Sequence, residues 1–389
     1  MKLVELRLPG QNLPMTLVEA RTDTGLVGVG GCEAPVAAIR PIIEGYPWRL
    51  GDLVKGRDPR EVGRLWTEMV HAIGWQGGLV LHAAAALDMA LWDLAGKAQN
   101  APLHTLFGGA VQSRVMAYAS GTAFDLTHYK PGTEPPLKSS DQLANESREC
   151  IRAGFGAIKF GWGNHFSPED LERLDAIRAA IGPDIRLMID FGAPSYFEPG
   201  VSPKNAIAIA RLLEKYNVYF FEEPLLPHDY GGYAQVTRRS RTLIAGGEML
   251  CHAYQFERFL DSHGLDVIQP DAYRIGVTQT LQVARRANER GILCVPHSPW
   301  SALALAAHVN VLACVPNGVM VEFPAPSLFR DTRHHGEVTR INNQEIVSHP
   351  LKLRDGYLPL PSEPGLGVGA LNHDAINRAE SLAAQGLER

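Results

Sequence analysis

Short apolar runs that each end in a polar residue are the feature that most constrains the fold of this chain. Seven such runs follow one another, and the polar residues that end them are Lys159 (AIK), Asp190 (LMID), Glu222 (FFEEP), Glu248 (IAGGE), Asp271 (VIQPD), His297 (CVPH) and Glu322 (VMVE). By subtraction, the intervals between them are 31, 32, 26, 23, 26 and 25 residues. One strand–loop–helix–loop unit has this length, so the spacing predicts a (β/α)8-type (TIM) barrel of the α/β class.

The seven polar side chains are expected to converge on one rim of that barrel. A charged residue at the end of a buried strand is costly unless it serves a site. In a barrel the C-terminal strand ends face the active site. The alternative interpretation is that each residue only marks the point where a strand leaves the core, and a series of seven disfavours it.

The chain of 389 residues is long enough for a barrel and a smaller companion domain. Residues 2–8, 15–21 and 26–30 are expected to form a three-stranded antiparallel meander, and residues 60–73 and 80–98 to form helices. We predict an N-terminal α+β capping domain over residues 1–112, the barrel over 113–328, and a C-terminal segment over 329–389 that packs back on the capping domain. The first barrel strand is placed at 115–121 and is followed by a long loop at 122–140. The barrel helices are placed at 141–153, 168–181, 203–216, 231–239, 253–263, 277–290 and 300–314.

Composition excludes several classes of protein. A formal charge of −5 and 45% hydrophobic residues are typical of a soluble globular protein, and the absence of a basic patch argues against a nucleic-acid partner. The N-terminus has no signal-peptide pattern and we find no apolar run of membrane length, so we expect a cytoplasmic protein with no membrane contact. The five scattered cysteines contain no CxxC motif and are expected to be buried free thiols.

Asp190, Glu222 and Glu248 form the first chemical group. Three carboxylates on adjacent strand ends repel one another strongly in a shielded site, and a hard divalent cation resolves that repulsion. Ligation by oxygen alone suits Mg2+ and argues against zinc. The alternative is that nearby Arg or Lys side chains neutralise them. Glu223 follows Glu222 directly, so it is expected to point to the other side of the strand.

Asp271 and His297 form the second group. A carboxylate beside an imidazole fixes its tautomer and raises its pKa, which makes a general acid/base pair. Glu322 either donates a hydrogen bond, if burial raises its pKa, or caps the neighbouring backbone. A cation on one side of a pocket and a base on the other suit abstraction of the proton α to a carboxylate, with the resulting enediolate stabilised by the metal charge.

The motifs together resemble the enolase superfamily. GFGAIK, DFG, EEP, GGE, PDAYRIG and PHS follow in the order seen in that superfamily, and the Asp–His pair resembles its mandelate racemase subgroup; DTGLVGVGGCEAP and ALDMALWDLAGKAQNAPLHTLFGG extend the resemblance over nearly the whole chain. The resemblance implies Mg2+ on Asp190, Glu222 and Glu248, a base formed by Asp271 and His297, a small-molecule acid-sugar substrate and a homo-oligomer.

Two departures from the family pattern favour a lyase. Where racemases of this type resemble one another in carrying a second base, this chain has Gly161, and where some sugar-acid dehydratases carry a His it has Gly192. A single base, His297, suits dehydration of an aldonate or aldarate to a 2-keto-3-deoxy acid. A racemase or epimerase and a non-catalytic metal-binding paralogue are the alternatives. A metal-dependent hydrolase barrel is disfavoured because the first strand ends without an HxH motif.

The remaining candidates concern substrate contacts. Lys159 either balances charge at the substrate carboxylate or bonds to the metal-ligand carboxylates. Loops 31–35 and 122–140 are expected to influence substrate choice. Four residues just after strand ends are candidates for contacts with substrate hydroxyls, although each is more often a plain loop residue: Trp162, His165, His228 and His252.

Overall fold

A computed structural model describes residues 1–6, 14–125, 136–162, 166–192, 202–298, 301–326, 332–334, 337–339 and 343–387. The strands are β1 (Lys2–Leu6), β2 (Met15–Arg21), β3 (Val27–Cys32), β4 (Arg114–Thr122), β5 (Ala157–Gly161), β6 (Arg186–Asp190), β7 (Val218–Glu222), β8 (Leu243–Gly246), β9 (Val267–Ile268), β10 (Leu293–Cys294), β11 (Val321–Pro324), β12 (Thr332–His334), β13 (Glu337–Thr339) and β14 (Tyr357–Pro359). The helices are α1 (Val36–Glu44), α2 (Leu50–Val54), α3 (Val62–Ala72), α4 (Leu79–Ala98), α5 (Leu103–Leu106), α6 (Ser140–Arg152), α7 (Pro168–Ile181), α8 (Pro203–Glu214), α9 (Tyr230–Thr237), α10 (Ala253–Ser262), α11 (Ala272–Glu289), α12 (Ala302–Ala313) and α13 (His373–Leu387).

The N-terminal part of the chain has a sheet on one side and helices on the other. Strands β1, β2 and β3 pair in that order, and both pairings are antiparallel. Glycines on β3 let helix α4 approach closely, because a Cβ at Gly28 or Gly30 would lie 2.4 or 2.2 Å from a carbonyl oxygen of that helix. Helices α1 and α2, which were not predicted from the sequence, contribute residues to the same apolar core.

Helix α4 is the central element of this N-terminal part. By length and composition it qualifies as a membrane span, so the expectation that no apolar segment reaches that length is wrong for α4. However, 83% of its most apolar window is buried inside the protein. Its fifteen buried residues contact both the meander and the barrel, as expected of a core helix.

The larger part of the chain is the predicted barrel. Eight parallel strands follow the order β10-β9-β8-β7-β6-β5-β4-β11. A parallel bridge between Cys294 and Gly318 brings β10 to the segment that leads into β11, and so joins the two ends of the sheet. The seven predicted barrel helices are all present, although α11 starts five residues early, at Ala272, and is broken at Gly276. The observed strands and helices confirm the predicted (β/α)8-type fold with an N-terminal capping domain.

The inside of the barrel is arranged in layers. One buried apolar cluster takes a single residue from each of the eight strands or its direct extension: Tyr118, Ala157, Met188, Phe220, Ala245, Val267, Val295 and Met320. Side chains alternate between the two faces of a strand, so the residue two positions further on also points inward. The apolar layer is therefore the floor on which the next, polar layer stands.

The barrel and the capping domain meet where α11 packs against α4. Asp88 of α4 accepts hydrogen bonds from the backbone nitrogen of Thr278 (2.9 Å) and from its hydroxyl (2.5 Å). Gly276 has φ +75°, and a Cβ at this position would lie 2.8 Å from the Asp88 carboxylate. Glycine is thus required at the break in α11 both for its backbone angle and for the close approach of Asp88.

The C-terminal segment contacts both parts of the protein. Strand β14 pairs antiparallel with β4 of the barrel. On the other side, His373 lies 3.1 Å from Glu19 of β2. The segment therefore joins the barrel to the three-stranded sheet; the sequence predicted its packing on the capping domain but not its strand on the barrel.

A buried ion pair ties the capping sheet, α4 and the C-terminal segment together. The Asp93 carboxylate accepts hydrogen bonds from the backbone nitrogens of Val29 and Leu366, each at 2.9 Å, and from Lys97 Nζ at 2.7 Å. Only 1% of the Asp93 side chain is exposed. Removal of this carboxylate would therefore leave each of the three donors without this acceptor.

We expect Asp93→Ala to lower the free energy of unfolding by about 3 kcal/mol or more, the usual cost of breaking a buried pair. The measurement is chemical denaturation followed by circular dichroism. Asp52→Ala is the matched control, because Asp52 pairs with Arg49 at 2.7 Å but both side chains are more than half exposed. Equal losses in the two variants would contradict the structural role of Asp93.

Candidate active site

A layer of mostly polar side chains lies directly above the apolar floor of the barrel. Counted two residues on from each floor position, it consists of Ser120, Lys159, Asp190, Glu222, Gly247, Gln269, His297 and Glu322. The series predicted from the sequence contains five of these eight residues and misses Ser120, Gly247 and Gln269. Gln269 is fully buried, and neither atom of its side-chain amide has a hydrogen-bond partner in the described chain. The two remaining residues of the series, Glu248 and Asp271, follow the ends of β8 and β9.

Asp190, Glu222 and Glu248 lie together. Each offers a carboxylate oxygen, and these oxygens are all within 4.8 Å of one another. Burial raises the pKa of Glu222 well above its usual range, the charge of Asp190 raises it further, and Lys159 opposes both. Three acids brought this close in a buried site are a donor set of hard oxygens, which is what a divalent cation such as Mg2+ requires.

Lys159 bonds to these carboxylates. Its Nζ lies 2.8 and 2.9 Å from the two oxygens of Glu222, 3.3 Å from Asp190 and 3.2 Å from Glu322. Burial alone would lower the pKa of Lys159, but Glu222 and the other acids raise it well above its usual range. Two roles were predicted for Lys159, and the bond to the carboxylates is the one present in the structure.

A backbone nitrogen orients Asp190, and Glu223 fixes the turn before Glu248. The nitrogen of Gly192 donates to Asp190 at 2.6 Å, and with φ +64° this position favours glycine. Glu223, on the far side of β7, accepts hydrogen bonds from Gly247 N and from Tyr233 Oη, both at 2.7 Å. It thereby fixes the turn that leads to Glu248, and it stands outside the trio as expected.

The imidazole of His297 lies between two carboxylates. Its Nδ1 is 3.0 Å from Asp271 Oδ2, and its Nε2 is 3.6 Å from Glu248 Oε2. The other Asp271 oxygen accepts from Tyr273 N at 2.8 Å at the start of α11, so the carboxylate is held at both oxygens. Behind it, fully buried His308 accepts from Ala272 N at 3.0 Å. The carboxylate fixes Nδ1 as the donor and leaves Nε2 facing the trio.

Charge decides the protonation state of His297. Burial alone would lower the pKa of its imidazole, but Glu248, Asp271 and Glu322 together raise that pKa to about 10. The imidazole is therefore a strong base that is protonated at neutral pH as long as Glu248 carries its full charge.

Glu322 is an acceptor. It accepts hydrogen bonds from Ser120 Oγ at 2.6 Å and from Ser298 N at 2.8 Å. Burial alone would raise its pKa, but Lys159 and His297 hold the pKa of Glu322 below its usual value. Of the two roles predicted for Glu322, the contact with the neighbouring backbone is present, at Ser298 N, and the two facing cations disfavour a protonated donor.

The capping domain brings further polar side chains towards the pair: Glu33, from the loop 31–35 that was expected to influence substrate choice, and His82, which was not predicted to have a role. Glu33, just after β3, lies 2.9 Å from Arg274 of α11. His82 of α4 is 6% exposed, and burial followed by the charge of Arg274 lowers the pKa of His82 to about 4. A contact between residues 241 positions apart leaves no signal in a single sequence.

The four candidates for contacts with substrate hydroxyls have different positions. Trp162 is buried in the apolar core and stacks on Phe166 with ring centroids 6.0 Å apart. His252 is buried at the start of α10, where its side chain accepts from Tyr254 N. His228 is exposed in the turn after β7. His165 lies outside the described residues, as does much of the predicted loop 122–140.

Fold and site together define the class of protein: a (β/α)8-barrel enzyme with a capping domain, an acidic site able to hold a divalent cation, and an Asp-oriented histidine. Family models agree. Residues 142–374 match the "Enolase C-terminal domain-like" model, and residues 10–108 match the "Mandelate racemase / muconate lactonizing enzyme, N-terminal domain" model. The chain belongs to the enolase superfamily, in its mandelate racemase and muconate lactonizing group.

Individual relatives are similar along nearly their whole length. A D-galactarolactone cycloisomerase of Agrobacterium fabrum is 32% identical over 92% of this chain and 89% of its own. A D-galactonate dehydratase of Ralstonia nicotianae is 27% identical over 98% and 94%. A solved racemase of Streptomyces coelicolor A3(2), with bound magnesium, has a TM-score of 0.77 and 25% identity, covering 97% of each chain.

We expect the His297 imidazole of the metal-free protein to titrate near pH 10 and that of His82 near pH 4. The folded-state pKa of His297 exceeds its ordinary value of 6.5, so its protonation stabilises the fold fully below about pH 6.5 and this stabilisation is lost as pH rises towards 10. The measurement is NMR of 15N-histidine-labelled protein in EDTA, with resonances assigned by substitution. Glu248→Gln should lower the His297 pKa. Titration of His297 near 6.5 in both proteins would contradict this electrostatic account.

Proposed function

We propose that this protein dehydrates an acid sugar, an aldonate or aldarate, to a 2-keto-3-deoxy acid. The observation that carries the proposal is the single oriented imidazole of His297, whose Nε2 faces a trio of carboxylates while Asp271 holds its Nδ1. One base that faces a cation site suits abstraction of the proton α to a carboxylate.

The chain's own residues account for the proton movements. His297 Nε2 takes the proton from C2 of the substrate. The C3–oxygen bond then breaks, and the same imidazole returns the proton to the departing hydroxyl, which leaves as water. The enol that remains becomes the 2-keto acid. Asp271 holds the imidazole throughout and stabilises its charged form.

The absence of a lysine at position 161 disfavours racemisation, which needs a proton donor on the opposite face. A Cβ at Gly161 would meet Gly121 O at 3.7 Å and Thr122 Oγ1 at 4.0 Å, which are ordinary contacts. Steric crowding of a Cβ atom therefore does not explain why position 161 is a glycine. A reaction that uses one face of the substrate fits the residues present.

The proposed ligands of Mg2+ are Asp190, Glu222 and Glu248. Their carboxylate oxygens converge, and at Glu222 burial and the neighbouring acids outweigh the positive charge of Lys159. Bound there, the cation would supply positive charge for the substrate carboxylate and would offset the charge of Glu248. The imidazole of His297, held by Asp271 at Nδ1, would then be free to accept the substrate proton at Nε2. The structural neighbour with bound magnesium supports this assignment.

A second candidate reaction is the ring opening of a sugar lactone, favoured by the relative named a cycloisomerase. The first step is the same, since His297 removes the proton α to the carboxylate. The ring oxygen on the β carbon then leaves in place of a hydroxyl, and it stays bonded to the acyl carbon of the former lactone as a new carboxylate. No water is lost, so the substrate and the product are isomers. The products therefore distinguish the two reactions.

The test is a screen of aldonates, aldarates and their lactones with Mg2+, in which 2-keto products are detected with semicarbazide and identified by mass. We expect one acid to lose water. His297→Asn should abolish that turnover while Mg2+ binding persists. His263→Asn, at the end of α10 in the barrel wall, is the matched control and should keep activity. Isotope exchange at C2 without loss of water would favour an epimerase, and turnover that survives His297→Asn would refute His297 as the base.

Removal of the metal provides an independent prediction. We expect Mg2+ to raise the thermal midpoint of the wild-type protein, because a ligand at 100 times its Kd stabilises the folded state by about 2.7 kcal/mol. Asp190→Asn and Glu222→Gln should lose this response. Glu257→Gln, which removes a carboxylate on α10 that pairs with Arg286, should keep it. An unchanged Mg2+ response in the two site variants would place the metal elsewhere.

A further inference from the structure

Two donors approach one oxygen of Asp271. His297 Nδ1 lies 3.0 Å from Oδ2, within hydrogen-bond distance, and Arg274 Nε lies 3.9 Å from the same atom. The Arg274 Nε group is buried and has no hydrogen-bond partner in the part of the chain described. An unsatisfied charged donor this close to a carboxylate gains considerable energy if it closes the remaining gap.

Glu33 of the capping domain holds Arg274 where it is. Its carboxylate lies 2.9 Å from the terminal NH2 nitrogen of Arg274, and the two side chains are 22% and 13% exposed. The loop that carries Glu33 is fixed in turn, since Thr16 Oγ1 donates to Ala34 O at 2.7 Å and Val36 N donates to Glu5 at 3.0 Å. The capping domain thus anchors the far end of the guanidinium.

We propose that Glu33 is a positioning residue for the Asp271–His297 pair and acts through Arg274. By binding the terminal nitrogen, Glu33 keeps the Nε donor of Arg274 out of hydrogen-bond distance of Asp271 Oδ2. That oxygen is then left to His297. The inference rests on the proposed role of His297 as the base, and it assigns to the capping domain a part in orienting the base.

Loss of Glu33 frees the guanidinium to turn towards Asp271. Arg and carboxylate form strong charge-assisted bonds, so Arg274 competes directly with the imidazole for Oδ2. The His297 Nδ1 hydrogen bond weakens, and the imidazole loses its fixed orientation. A catalytic base that is poorly oriented lowers kcat, whereas substrate binding at the metal side is unaffected.

The competing explanation is that Glu33 contacts the substrate directly. The two explanations predict different results when Arg274 is also removed. If Glu33 acts only to restrain Arg274, a protein without both side chains has no competitor for Asp271 and recovers. If Glu33 binds the substrate, the second substitution recovers nothing, and the single variant raises KM.

The experiment compares Glu33→Gln, Glu33→Asp and the double variant Glu33→Gln/Arg274→Gln with the wild type. We expect Glu33→Gln to lower kcat by roughly 10- to 100-fold with little change in KM, the range seen for groups that orient a catalytic ligand. Glu33→Asp should restore part of the loss, and kcat of the double variant should exceed that of Glu33→Gln. Glu68→Gln is the matched control, because Glu68 also pairs with an arginine (Arg57, 2.8 Å) within the capping domain, and it should behave as the wild type.

A spectroscopic readout separates failure of this inference from failure of the proposed function. The His297 Nδ1 proton, assigned by its loss in His297→Asn, should resonate far downfield in the wild type, move upfield in Glu33→Gln and return in the double variant. This measurement needs no substrate. A resonance unchanged by Glu33→Gln, or a double variant no better than the single one, would overturn the inference, while an altered resonance in a protein that turns over no acid sugar would refute the function alone.

Discussion

Repulsion among converging carboxylates is the constraint on which this structure depends. Asp190, Glu222 and Glu248 bring their oxygens within 4.8 Å of one another in a largely buried site. Such an arrangement is stable only if positive charge enters it. Lys159 supplies one charge from within the chain, through its bonds to Glu222, and a divalent cation is proposed to supply the rest. The acidic centre is thus able to attract a cation.

The barrel creates this concentration of charge by stacking layers. A floor of eight buried apolar residues excludes water below, and the polar layer two residues further along the strands stands on it. Because the apolar floor offers few hydrogen-bonding groups, each polar side chain above it needs a hydrogen-bond partner elsewhere. Nearly all of them find one within the layer or just above it. Gln269, whose amide is buried without a partner in the described chain, is the member of the layer that does not.

The capping domain does more than cover the barrel. Asp88 and Gly276 hold helix α4 against the break in α11. Glu33 contacts Arg274 two residues before that break, beside the carboxylate that orients His297. A side chain of one domain is thereby placed to influence the base of the other. The hydrogen bond from Leu366 N of the C-terminal segment to Asp93 of α4 is a further connection between the two parts of the protein.

The barrel, the acidic trio and the Asp271–His297 pair could be predicted from the sequence, because seven of the strand units end in a polar residue and the spacing of these units is local. The other contacts depend on the packing of distant elements. Lys159 bonds to Glu222 and also lies 3.2 Å from Glu322, and Trp162 packs in the core. Glu33 meets Arg274 across 241 residues. Such contacts depend on how distant elements pack, and hydrophobic periodicity and motif spacing carry no record of that packing.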